Sequence, residues 1–188
     1  LNDWPGAIAS HRRALALRPG YPAALTNLAA ALAPSEPEAA IACYRQALDA
    51  GLTGRELADA HYSLGLLLLR EGRYAEGWVE AEWWDRTAHG IAGRRFDRVA
   101  PWDGGAGEGT LLVYAQQGLG DTLQFCRFLA PAAALRPVVL EAPRSLLRLL
   151  ATLAPVRAGR VRLQSPGSAV PPHDAACSLL GLPHRLGV

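Results

Sequence analysis

The chain has 188 residues, of which 50% are hydrophobic and 19% are charged. This composition supports a buried core, and the length suits one ordinary domain or two small ones. The formal net charge of +2 is too close to zero to indicate a nucleic-acid or membrane-surface partner. All 19 basic residues are arginine, which excludes functions that need a lysine, such as Walker A phosphate loops and Schiff-base chemistry.

The chain ends and the cysteines bear on its cellular context. The sequence has no methionine, begins at Leu1 and ends at Val188, so we expect a fragment at both ends. No segment resembles a signal peptide, and the longest apolar stretch, residues 64–69, is far shorter than the roughly 18 residues of a membrane span. The three cysteines and five scattered histidines form neither a disulfide framework nor a metal-site pattern. We therefore expect buried thiols, no metal and a cytoplasmic location.

Two patterns recur in the first half of the chain and indicate internal repeats. At an offset of 33 residues, Ala7-Ile8, His11-Arg12 and Ala14-Leu15 recur as Ala40-Ile41, Tyr44-Arg45 and Ala47-Leu48. At an offset of 36 residues, Ala24, Leu28-Ala29 and Leu32 recur as Ala60, Leu64-Gly65 and Leu68. Apolar residues within a unit follow the i, i+3, i+4, i+7 spacing of an amphipathic helix, as in Leu25, Leu28, Ala29 and Leu32. Small residues among the large ones predict closely packed helix pairs.

The period and the order of these residues resemble tetratricopeptide repeats over residues 1–86, about two and a half units. The resemblance implies an α-solenoid whose groove holds a peptide or partner protein. In the sugar-transferase relatives of this repeat, an asparagine of the first helix holds the partner's backbone, and Asn27 occupies that position. Ser63 replaces it in the next unit, which leaves open the alternative that Asn27 is a solvated helix residue.

Residues 87–109 lack a helical period and are rich in glycine and proline, which is typical of a loop or linker. Four large aromatic residues lie in or beside this stretch: Trp83, Trp84, Phe96 and Trp102. Large aromatic side chains in a linker indicate that it is packed against something. We therefore expect this segment to lie on the domain that follows, residues 110–188.

The second half of the chain alternates apolar runs with helical patterns. Strands are predicted at residues 110–115, 137–141 and 161–163, with helices at about 122–135 and 144–153. The second helix is expected to point five leucines inward: Leu146, Leu147, Leu149, Leu150 and Leu153. The β-α-β-α-β order predicts a parallel α/β sheet.

A glycine-rich turn follows the first predicted strand, where α/β sheets bind ligands. Gly118 and Gly120 match two glycines of a dinucleotide fingerprint, but Leu123 stands in place of the third, and Glu141 is the only acidic candidate beyond it. This pattern does not favour a nicotinamide or flavin cofactor. Asp121 opens the following helix and has two possible roles: it caps backbone amides, or it acts as a general base toward a hydroxyl group.

Several short motifs extend a second resemblance from about residue 100 to the chain end: Trp102-Asp103-Gly104, Leu111-Leu112-Val113, Gln117-Gly118-Leu119-Gly120-Asp121-Thr122, Gln124-Phe125, Arg127-Phe128, Val139-Leu140-Glu141, Pro172-His173-Asp174 and Leu182-Pro183. They resemble bacterial repeat proteins that carry a glycosyltransferase-like domain. The domain is similar to the amino-terminal, Rossmann-like half of GT-B enzymes, including heptosyltransferases and, more remotely, O-linked N-acetylglucosamine transferases.

The second resemblance implies roles for particular residues. In heptosyltransferases a Gly-Asp pair in this loop carries the proposed base, and Gly120 and Asp121 match it. Gln117, Gly118, Gly120 and Thr122 are then candidates for substrate binding. The nucleotide-sugar donor is held mainly by the second half of such enzymes, so no further cofactor is implied and we expect no turnover from these 188 residues alone.

Together, these patterns indicate a fragment of a repeat-containing glycosyltransferase that moves a sugar from a nucleotide-sugar to a hydroxyl acceptor, with the repeats binding the acceptor or a partner protein. The alternative is a non-catalytic scaffold for protein–protein interaction. A Cys177/His173 nucleophile pair is a further possibility, although its apolar neighbours favour a core position.

Overall fold

The computed structural model describes residues 3–87, 96, 99–115 and 118–188. The chain divides into two compact units, Leu1–His89 and Gly90–Val188. In the described residues the first unit is helical, and the second combines a parallel sheet with short helices. The architecture is therefore α plus α/β, which confirms the fold class at that level.

In its described part, the first unit contains five α-helices and a closing 3₁₀ segment: α1 Trp4–Leu17, α2 Pro22–Leu32, α3 Pro37–Asp49, α4 Gly54–Arg70, α5 Tyr74–Ala81 and the 3₁₀ segment Glu82–Arg86. Proline lies in the first turn of α1, α2 and α3, where a helix does not need the missing N–H. Asp3 caps α1 by accepting a hydrogen bond of 2.9 Å from the Gly6 N–H. Each helix packs against the next one along the chain.

The core of the helical unit follows the predicted spacing. Leu25, Leu28, Ala29 and Leu32 are all buried on α2. They join buried residues of α3 and α4 in two neighbouring clusters, which include Ala40, Ile41, Tyr44, Ala47, Leu64, Leu67 and Leu68. This burial removes the apolar stripes of α2, α3 and α4 from water and stabilises the pairing of these helices.

The tightest helix contact lies between α4 and α5. A Cβ atom on Gly65 would stand 2.5 Å from the backbone nitrogen of Ala81 and 2.9 Å from its Cα. Gly77 on α5 lies equally close to α4, because a Cβ atom on it would stand 2.8 Å from Cγ of Leu69. These distances confirm that a residue without a side chain is needed where the two helices meet.

Two tryptophans of the closing 3₁₀ segment, Glu82–Arg86, pack on α4. The Trp83 ring stacks on His61 with the ring centroids 4.1 Å apart, and the Trp84 ring lies 4.9 Å from that of Tyr62. Both indole rings therefore contribute to the packing of the helical unit itself.

The second unit has four short strands among its described residues: β1 Leu111–Tyr114, β2 Val138–Glu141, β3 Val161–Gln164 and β4 Ala175–Ser178. All pairings are parallel, and the strand order is β3-β2-β1-β4. Every residue of β1 and β2 is buried, as the continuous apolar runs predict. The fourth strand, Ala175–Ser178, comes in addition to the three strands that the sequence predicted.

The helices of the second unit are shorter than predicted: α6 Leu119–Phe125, α7 Leu129–Leu135, α8 Leu147–Leu150, α9 Ala154–Arg157 and α10 Leu182–Arg185. The 3₁₀ segments Cys126–Phe128, Arg144–Leu146 and Leu179–Gly181 precede α7, α8 and α10.

The predicted helices over 122–135 and 144–153 are therefore wrong in extent. Pro131 has no N–H to bond the carbonyl of residue 127, so the first predicted helix divides into α6 and α7. The second ends at Leu150, and Leu149 is 53% exposed instead of pointing inward.

Part of the predicted joining segment lies beside β4. The N–H of Trp102 donates to the Ala176 carbonyl at 2.9 Å, and the N–H of Ala176 donates to the Ala100 carbonyl at 3.0 Å. The Trp102 side chain is buried, and its Nε1 donates to the Gly105 carbonyl at 2.9 Å. Phe96 is also buried in this unit, whereas residues 88–95, 97 and 98 lie outside the described part of the chain.

At the amino ends of the strands, Arg136 ties together three loops. Its Nε donates to the Gly109 carbonyl at 3.0 Å, and its guanidinium pairs with the Asp174 carboxylate at 2.6 Å. The Asp174 N–H in turn donates to the Thr110 carbonyl at 3.2 Å. The Arg136 side chain is only 9% exposed, whereas the Asp174 carboxylate is 58% exposed, so solvent screens part of this ion pair.

Candidate functional site

The strand order locates the point where an α/β sheet binds its ligand. The chain passes from β1 to β2 and β3 on one side, and β4 then returns to the other side of β1. Ligands of open parallel sheets bind beyond the carboxyl ends of the strands at such a switch point. Here the switch point lies between the ends of β1 and β4, at Tyr114 and Ser178.

Beyond β1 the described chain resumes at Gly118, the N-cap of α6. The carboxylate Oδ2 of Asp121 accepts a hydrogen bond of 3.2 Å from the Gly118 N–H. Its Oδ1 makes no hydrogen bond within residues 3–87, 96, 99–115 and 118–188. Asp121 is half-buried, so one oxygen is engaged as a helix cap while the other can still accept a proton or a donor.

Two neighbours of Asp121 complete this turn. Thr122 is buried, and its hydroxyl donates to the Gly118 carbonyl at 3.2 Å, so it holds the turn and does not face solvent. Gly120 is exposed, and a Cβ placed on it would meet no atom within 4 Å. Because no side chain covers the backbone at this position, a ligand can approach the backbone closely.

Two further binding residues were predicted, Gln117 and Asn27. Gln117 is outside the described residues. Asn27 is exposed on α2 in the helical unit, with Leu28 and Ala29 beside it in the core. Burial raises the pKa of the Tyr44 hydroxyl, and the side chain of Ser63, which replaces the asparagine in the next unit, opposes that shift. The structure therefore brings together Gly118, Gly120, Asp121 and Thr122 in the second unit, whereas Asn27 belongs to the helical unit.

The sequence analysis missed a row of hydrogen-bonding side chains at the carboxyl edge of the sheet. Tyr114 is in register with Glu141 and with Ser178, and Glu141 is in register with Gln164. Register neighbours on parallel strands project from the same face. The signal was present in the sequence, because three of the four strands end their apolar pattern in Tyr, Glu or Gln.

Cys177 and His173 do not form a nucleophile pair. Cys177 is in register with Val113, so it projects from the face opposite to that of Tyr114. His173 lies on the Tyr114 face, where its ring is 6.5 Å from that of Phe96 and Phe96 packs on Tyr114. The sheet therefore separates the thiol from the imidazole, and the possibility of a catalytic Cys/His pair is wrong.

The other two thiols are poorly suited to nucleophilic chemistry. Burial raises the pKa of the Cys43 thiol, against a smaller opposite effect of Arg12. Burial also raises the pKa of the Cys126 thiol. A raised pKa keeps a thiol protonated, whereas the thiolate is the reactive form. Among the described residues, no group of three His, Cys, Asp or Glu side chains is placed to hold a metal ion.

None of the helices in the described part of the chain is both long and apolar enough to cross a membrane. Comparison of the sequence with protein-family models and with curated proteins, and of the fold with solved structures, finds no match.

Proposed function

We propose that the second unit is the acceptor-binding half of a GT-B glycosyltransferase and that helices α1–α5 form about two and a half tetratricopeptide repeats. The parallel order β3-β2-β1-β4 supports the first assignment. The helix pairing across Gly65 and Gly77 supports the second. In this proposal the protein acts in the cytoplasm on a nucleotide-sugar donor and a hydroxyl acceptor.

The observation that carries the proposal is the placement of Asp121. Its carboxylate lies on α6, which follows β1 along the chain and packs against the 3₁₀ segment Leu179–Gly181 beyond β4, and its Oδ1 is unbonded within the described residues. In the proposed reaction Asp121 removes the proton of an acceptor hydroxyl. The acceptor oxygen bonds to the anomeric carbon as the bond from that carbon to phosphate breaks, and the nucleoside diphosphate leaves with the electron pair.

The exposed turn at residues 118–121 gives the acceptor room and holds the carboxylate in place. Open space over Gly120 admits the acceptor next to the carboxylate. The bond between Gly118 and Asp121 fixes the carboxylate without occupying both of its oxygens. Stabilisation of the leaving diphosphate is assigned to a second half outside these 188 residues.

A second candidate is a non-catalytic scaffold, and one contact favours it. The hydrogen bond from the Gly118 N–H to Asp121 is what a purely structural helix cap would make. In that case the helical unit binds a partner protein, with Asn27 on its exposed surface, and the sheet serves as a platform.

The complete gene product that contains these residues distinguishes the two candidates. It is incubated with a panel of nucleotide-sugars and with glycan, peptide and lipid acceptors, and the released nucleoside diphosphate is measured. We expect acceptor-dependent release from the complete product and none from the 188-residue chain. Absence of release with every donor would leave the scaffold function, whereas transfer by the 188-residue chain would refute the assignment of half a site.

A further inference from the structure

Two polar side chains lie next to each other at the carboxyl ends of β2 and β3. Glu141 and Gln164 are register partners on parallel strands, so both project from the same face of the sheet. Glu141 is 1% exposed and Gln164 is 8% exposed. Neither the proposed base nor the turn around it uses this pair.

The amide of Gln164 has an unmet hydrogen bond. Its Nε2 is closed to solvent, and it has no partner in the part of the chain that the structure describes. Folded proteins normally avoid a buried donor without an acceptor because it has given up its bonds to water. Such a group calls for an acceptor that comes from outside the described chain.

We propose that Gln164 and Glu141 form a subsite for neighbouring hydroxyl groups of a sugar. The Nε2 group of Gln164 donates hydrogen bonds, whereas a carboxylate oxygen such as those of Glu141 accepts them. A hydroxyl group does both, and adjacent hydroxyls of a sugar ring match two polar groups on neighbouring strands.

The subsite rests on the proposed function for one point, that the sugar belongs to the acceptor. β2 lies between β3 and β1, and β1 leads to the turn that holds Asp121. A sugar bound at Gln164 and Glu141 thus occupies the same edge of the sheet as the proposed base. Because Nε2 is closed to solvent, binding requires a local rearrangement around Gln164, and residues 166–170 just beyond it are exposed.

Binding of simple sugars to the 188-residue chain tests this subsite. Methyl glycosides of glucose, mannose and N-acetylglucosamine are titrated into ¹⁵N-labelled protein, and the side-chain amide signals of Gln164 are followed by NMR. Those signals are assigned by their absence from Gln164→Met. We expect them to shift saturably with at least one glycoside, and Gln164→Met to weaken its binding about two- to tenfold, the effect of one lost hydrogen bond.

The matched control is Gln46→Met, an exposed glutamine of α3, which should bind the glycoside like the wild type. Gln164→Asn keeps the amide but shortens its reach, so it should also lose binding; it replaces Gln164→Met if that variant does not fold. Failure of every glycoside to shift the Gln164 signals, or unchanged affinity in a folded Gln164 variant, would overturn the subsite. If glycosides bind at Gln164 but the complete gene product transfers no sugar, the proposed transferase function is refuted and the subsite stands. If the complete gene product transfers sugar but no glycoside binds at Gln164, the subsite is refuted and the transferase function stands.

Discussion

Replacement of Gly65 by alanine tests the close contact between α4 and α5. The added Cβ would stand 2.5 Å from the nitrogen of Ala81 and 2.9 Å from the carbonyl carbon of Glu80. Both atoms belong to backbone, so no flexible side chain can yield, and α5 itself must move away. That shift also disturbs the contact between Gly77 and Leu69, since Gly77 has as little space.

The expected loss of stability follows from two opposing effects. Overpacking of a well-packed contact costs about 1–3 kcal/mol. Alanine is better than glycine in a helix by about 1 kcal/mol, which offsets part of the loss. Gly120→Ala is the matched control, because Gly120 lies in α6 and its Cβ would meet no atom within 4 Å. Each variant is compared with the wild type through the tryptophans of its own unit, Trp102 in the case of Gly120→Ala, and the difference between the two changes isolates the overpacking effect.

Urea unfolding monitored by tryptophan fluorescence measures the effect, since Trp78, Trp83 and Trp84 all lie beyond Gly65 in the helical unit. We expect Gly65→Ala to lower the free energy of unfolding by about 1–3 kcal/mol relative to Gly120→Ala. Gly65→Leu should lower it further. Equal stability of the two alanine variants would refute the close pairing of α4 and α5.

Two further predictions concern charged groups. Gly109→Ala places a methyl group on the exposed Asp174 carboxylate, which can turn away from Arg136, so we expect loss of that pairing and a decrease of about 0.2–1 kcal/mol in the free energy of unfolding of the second unit; an unchanged urea midpoint would contradict a stabilising role of the Arg136–Asp174 pair. Arg73 holds the pKa of Glu76 below its usual range. The ion pair therefore stabilises the fold fully above the ordinary glutamate pKa of about 4.3, and this stabilisation is lost as the pH falls through the lowered pKa of Glu76. Thermal unfolding between neutral pH and pH ~3 should therefore show a steeper acid loss in the wild type than in Glu76→Gln, and parallel curves would contradict this linkage.

The helices of the first unit were the most predictable part of the fold. Their apolar residues repeat with a helical period, and burial of Leu28, Leu32 and Ile41 follows directly from that pattern. The strands β1 and β2 were equally clear, because each is a continuous apolar run between turn signals. These elements are set by local patterns that a single sequence displays.

Other features depend on contacts that a local pattern does not show. Leu149 fits an inward stripe in the sequence, yet α8 ends at the next residue and leaves it exposed. The carboxyl edge pairs Gln164 with Glu141 across more than twenty residues of chain, which only the strand register reveals. Among the candidate site residues, the order of the motif predicted that Gly118, Gly120 and Asp121 share a turn, but not that Thr122 would be buried.

The most direct test of the proposed function measures turnover of the complete gene product with Asp121→Asn and Asp121→Ala. Asparagine can still cap α6 but cannot take the proton of an acceptor hydroxyl, so we expect turnover to fall by about 10²–10⁴-fold while the melting temperature stays nearly unchanged. Asp121→Ala should lose both turnover and some stability, because it also removes the hydrogen bond to the Gly118 N–H. Wild-type turnover in Asp121→Asn would contradict the role of Asp121 as the base and leave it only as a helix cap.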